Sequence, residues 1–114
     1  KRVQVFYAVK SAPIINDATL EDAEYTGMTR LATVVMTGTR TIGAPLELIS
    51  AEFRHRLEHA DLIIAKGQGN FETMDVLPYN IFFILKAKCL PVARELGCQL
   101  YDVGLVCNRK RVRA

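Results

Sequence analysis

The sequence predicts an α/β fold of the three-layer, Rossmann-like kind, with a mostly parallel sheet and helices on both faces. Three observations predict it. Short apolar runs rich in β-branched residues recur along the 114 residues. Stretches with helical spacing or helix punctuation separate most of these runs. The third run then breaks abruptly into Lys66-Gly67-Gln68-Gly69-Asn70-Phe71-Glu72. Parallel sheets place such a change at the carboxyl end of a buried strand, where ligands bind.

The elements follow in order. Val3–Val9 reads as a strand apolar on both faces apart from Gln4. A helix is expected from about Ala18 to Tyr25, ending near Gly27. Asp17 can be its N-cap, but Thr19-Leu20-Glu21-Asp22 also fits a capping box, which would leave Asp17 free to bind something. The second strand, Ala32–Thr37, opens into the polar loop Gly38 to Gly43, where Arg40 reads as a surface residue. A helix over Pro45 to His59 carries one apolar stripe of Leu46, Ile49, Phe53, Leu57 and Ala60. The third strand, Asp61–Ala65, leads into the lysine-glycine loop and a short segment holding Met74, Pro78 and Tyr79. Asn80–Leu85 is the fourth strand, and a helix with Pro91 in its first turn reaches Leu96 and stops at Gly97. Tyr101–Cys107 is the fifth strand.

Composition narrows the function. Half the residues are hydrophobic and 24% are charged, as in an ordinary globular domain. The net charge is +3, and the four basic residues of the tail (Arg109, Lys110, Arg111, Arg113) more than account for it. The body therefore lacks the basic field of a nucleic-acid binder. No apolar run reaches the length of a membrane span, and no signal peptide is visible. Cys89, Cys98 and Cys107 have no C-x-x-C spacing and read as reduced, packed thiols of a cytoplasmic protein. The chain opens without methionine inside its first strand, which predicts a fragment of a larger domain.

In a parallel sheet the strand ends share one edge, so Asn16-Asp17, the Thr37–Gly43 loop, the Lys66–Glu72 loop and Lys86 with Lys88 are expected beside one crevice. A carboxylate suits Mg²⁺ or Mn²⁺, while a lysine with glycine-freed backbone amides suits phosphate. Together they point to chemistry at phosphorus rather than hydride transfer. The G-x-G of Gly67 and Gly69 is not a dinucleotide fingerprint, because Glu72 stands where the third glycine belongs. A separate pattern, His55-x-x-Glu58-His59, matches a zinc-hydrolase motif in letters and gives a metal-centre alternative.

Three motifs in this order resemble the damage-control phosphatases, once catalogued as domain of unknown function 89, in their short prokaryotic branch. They are Pro13-Ile14-Ile15-Asn16-Asp17-Ala18-Thr19 with Asp22, Ile63 through Glu72, and Ile81 through Cys89. The resemblance covers nearly the whole chain and implies the C-terminal half of the domain in residues 1–108, followed by a basic tail, 109–114. It implies a phosphatase supported by Mn²⁺, Mg²⁺, Co²⁺ or Ni²⁺ that acts on small phosphorylated metabolites such as sugar phosphates. In the family an Asp-Asn pair and a later aspartate hold the metal. The later aspartate matches Asp17, and residues matching Lys66 and Asn70 line the phosphate pocket. The Asp-Asn pair has no counterpart here and is expected upstream of Lys1. On this reading Asp17 ligates the metal, Lys66 neutralises the phosphoryl group, and Asn16 and Asn70 hydrogen-bond phosphate or metal-bound water. Gly67 and Gly69 let backbone amides approach the oxygens. The rival reading is a non-catalytic module that binds a nucleotide or phosphorylated effector.

Overall fold

The computed structural model describes residues 2–108, so the basic tail lies outside the described residues. The chain is of the mixed α/β class expected, divided into two compact units, Lys1–Arg56 and Leu57–Ala114.

In the first unit, β1 (Phe6–Val9) and β2 (Thr33–Met36) pair in parallel, with Phe6 opposite Thr33 and Val9 opposite Met36. A parallel pair needs a crossover, which α1 (Leu20–Tyr25) and a 3₁₀ turn, Met28–Arg30, provide. Thr19 caps α1 through a complete capping box: its N–H donates to Asp22 Oδ2 at 2.9 Å, and Asp22 N–H donates to Thr19 Oγ1 at 3.4 Å. Asp17 is therefore not the cap. Val9 and Ala23 are buried, whereas Val3 and Val5, expected inside the sheet, are exposed.

The helix expected from Pro45 is interrupted. Leu48 and Ile49 N–H groups both turn back to the Pro45 carbonyl, and α2 (Ala51–His59) begins anew at Ser50. Ser50 Oγ accepts from Phe53 N–H at 3.1 Å, the local hydrogen bond that lets serine start a helix where an apolar stripe runs on unbroken. Gly38 makes this junction possible. A Cβ there would stand 2.5 Å from Ser50 Cβ and 2.7 Å from Ser50 N.

The second unit holds a three-stranded sheet in the order β3-β4-β5 (Ile63–Lys66, Ile81–Lys86, Val103–Cys107). β3 and β4 are parallel, while β5 returns antiparallel to β4. The described strands thus hydrogen-bond as two groups rather than as the single sheet expected; strand neighbours follow from pairings between distant segments, which local pattern does not encode. One face of the three-stranded sheet packs against α3 (Gln68–Met74), with Phe71 meeting Phe83 edge-on at 5.3 Å. α4 (Leu90–Leu96) has Pro91 in its first turn and ends at Gly97 in the left-handed conformation, as the sequence predicts. Asn108 is fully buried, accepts from Ile81 N–H and donates to the Leu77 carbonyl, pinning the start of β4. All three cysteines are free thiols, each partly buried. No helix of the described residues is long and apolar enough to cross a membrane.

Because Thr19 rather than Asp17 caps α1, Thr19→Ala is expected to lower unfolding free energy by about 1 kcal/mol. Urea denaturation checks this, and an equal loss in Asp17→Ala would instead point to the aspartate.

Candidate functional site

The end of β1 carries one group of candidate residues, within the first unit. Lys10 follows the strand directly and is buried, its N–H donating to the Ala18 carbonyl at 2.9 Å. Its Nζ donates to the Gly43 carbonyl and lies 3.9 Å from Asp17 Oδ2. Burial pushes the Lys10 ammonium pKa down, and the Asp17 carboxylate opposes that shift. Asp17 sits at the close of a tight turn in which its N–H reaches the Ile14 carbonyl at 3.0 Å. Ile15 holds this turn at φ 47°, a region costing a β-branched residue roughly 1–2 kcal/mol. Its side chain is 81% exposed, so burial does not offset that cost. The turn leaves Asn16 exposed and Asp17 half-buried beside Lys10.

The β3–α3 turn carries a second group of candidate residues, within the second unit. Lys66 is the last residue of β3 and is exposed. Gly67 adopts φ 99°, ψ 155°, a conformation essentially reserved for glycine. Nothing lies within 4 Å of where its Cβ would be, so the requirement is conformational and not one of space. Its N–H donates to the Ile84 carbonyl at 2.9 Å, which commits that amide to the sheet. The Gly67 N–H is thus already occupied; the residue's part is to turn the chain from β3 into α3, where Gly69 and Asn70 lie in the first turn. Asn70 Nδ2 donates to the Lys66 carbonyl at 2.8 Å and fixes the lysine's backbone.

Gln68, which the sequence reading did not single out, ties the turn together. Its Nε2 donates to Glu72 Oε1 at 2.9 Å, and its Oε1 accepts from Lys88 N–H at 2.9 Å. Lys66, Gly67, Gln68, Lys86 and Lys88 line a cavity of about 300 Å³ at the carboxyl ends of β3 and β4. Lys10 was also missed, although its signal is the one that exposes Lys66: an apolar strand running straight into a lysine.

Metal fit is a different matter. Among the described residues no group of three or more His, Cys, Asp or Glu side chains is arranged to hold a metal. The His55, Glu58, His59 pattern therefore does not assemble a zinc centre there. Asp17 contributes a single carboxylate, so the described residues do not compose a metal site by themselves.

Residues 1–103 match the family model of the damage-control phosphatase ARMT1-like domain. This chain belongs to that family. It is 50% identical over 111 residues to a damage-control phosphatase of Pyrococcus horikoshii, covering 96% of this chain and 38% of that protein. A damage-control phosphatase of Archaeoglobus fulgidus is 42% identical over 97 residues, covering 83% of this chain and 34% of the relative. The crystal structure of a DUF89 family protein from P. horikoshii superposes with a TM-score of 0.87 at 50% identity. That match covers 92% of this chain and 37% of the other. The chain thus spans little more than a third of the length of these damage-control phosphatase relatives.

Gly67→Ala is expected to cost about 1–3 kcal/mol, since alanine must either strain or re-aim the turn. Thermal unfolding measures the loss, and an unchanged Tm would show that the turn accepts a side chain.

Proposed function

We propose that the protein is a phosphomonoester hydrolase acting on small phosphorylated metabolites, sugar phosphates or similar. The observation that carries this reading is the placement of Lys66, in a sequence half identical to a damage-control phosphatase, at an open cavity on the carboxyl end of β3. In the reaction a water oxygen bonds to phosphorus, the ester P–O bond breaks, and the alcohol leaves with a proton. Negative charge spreads over the phosphoryl oxygens as this happens. Lys66 offsets it with a positive charge that no ion pair with a described residue occupies. Asn70 holds the Lys66 backbone in place, and Gly69, in the first turn of α3, brings its amide toward the phosphate oxygens.

Asp17 is the carboxylate we assign to a divalent metal (Mn, Mg, Co or Ni), as one ligand of a set that the described residues do not complete. When bound, such an ion polarises a phosphoryl oxygen. The short Ile14–Asp17 turn fixes where Asp17 stands, and Asn16 beside it is exposed for a hydrogen bond to phosphate or water. A cavity of about 300 Å³ fits a small metabolite better than a nucleic-acid strand. Three free thiols fit the cytoplasm.

The test is hydrolysis of an aryl phosphate by the protein at its full natural length, with and without Mn²⁺. Asp17→Asn and Lys66→Ala are each expected to lower kcat/KM by about a hundredfold or more with folding unchanged. Wild-type turnover that ignores both substitutions would remove the site assignment.

A further inference from the structure

The Lys66 cavity holds more positive charge than one phosphate requires. Lys86 and Lys88 line it together with Lys66, and none of its lining residues is acidic. The β3–β4 register explains the first pair: Lys66 lies opposite Ile84, so Lys86, two residues on, projects from the same face of the sheet. Lys86 Nζ lies 5.7 Å from the ring centroid of Tyr101, which orients the ammonium without neutralising it. Tyr101 itself stands at φ 72°, unusual for an aromatic residue, with its N–H held by the Ala87 carbonyl at 2.7 Å. Lys88 is fixed through its backbone, since its N–H donates to Gln68 Oε1. No ion pair among the described residues involves Lys66, Lys86 or Lys88, so the three cavity lysines have no carboxylate partner there. Ile84 and Val103 supply apolar wall beside the charges, suited to a short carbon skeleton.

A dianionic phosphate is matched by Lys66 with one neighbour, and uncompensated like charges on one cavity repel. We propose that the substrate carries a second anionic group, a carboxylate or a second phosphate, which Lys86 and Lys88 bind while Lys66 faces the phosphoryl group to be removed. The inference rests on the phosphatase reading for which end reacts, but the two-anion preference stands on the cavity alone.

Binding is measured by titration calorimetry on the protein at its full natural length, with EDTA present to prevent turnover. The probes are glycerol phosphate, phosphoglycerate and propanediol bisphosphate. At least one doubly acidic probe is expected to bind about tenfold or more tightly than glycerol phosphate. Phosphoglycerate alone showing the gain identifies a carboxylate, and propanediol bisphosphate alone identifies a second phosphate. The Lys86→Gln, Lys88→Gln double variant should bring all three probes to similar affinity, while Arg94→Gln, on exposed α4 surface, keeps the preference. Equal affinities in the wild type, or a preference that survives the double variant, overturns the proposal. Preference without turnover when Mn²⁺ is restored would sink the phosphatase reading and leave the two-anion site standing. Failure of every probe to bind would overturn both.

Discussion

The register of β3 against β4 is the constraint on which the lysine cavity depends. Pairing Lys66 with Ile84 sets the last full rung between β3 and β4, and the Gly67 N–H extends that ladder to the Ile84 carbonyl at 2.9 Å. A slip of one residue would send Lys66 and Lys86 to opposite faces. The burial pattern of β4 forbids that slip, because Ile81, Phe83 and Leu85 are buried while Ile84 and Lys86 are exposed. The hydrophobic core thus sets the positions of the charges, through the alternation of a strand only six residues long. Glycine then ends the strand where the chain must turn at once into α3.

Much of this arrangement was legible in the sequence where the deciding interaction is local. Thr19 and Asp22 are three residues apart, and their capping box forms as read, which settles the choice between Thr19 and Asp17. Gly97 stops α4 by its own conformation, and Lys66 marks the end of β3 by following an apolar run. Interactions between distant residues were illegible. Lys10 takes its partner at Gly43, 33 residues away, and Gln68 meets Lys88 across 20. Ser50 was missed for another reason: the apolar stripe continues through it, and periodicity cannot register a break that leaves the stripe in phase.

The two lysines that end parallel strands have opposite environments. Lys10 is buried and engaged by the Gly43 carbonyl and the Asp17 carboxylate, so its charge steadies the turn that carries Asp17. Lys66 is exposed on a cavity and free of any carboxylate among the described residues, so its charge remains available to a ligand. The same sequence signal therefore yields a structural cation in one unit and an exposed, cavity-lining cation in the other. The difference lies in what surrounds each ammonium group rather than in the strand that precedes it.

Gln68 has a consequence for motion. One amide group holds Glu72 on α3 with its nitrogen and the backbone of Lys88 with its oxygen. The loops after β3 and β4 are thereby geared to each other through a single rigid plane of atoms. An anion that draws one loop inward must carry the other with it or break a hydrogen bond, so the rim of the cavity responds as one jaw instead of two independent fingers.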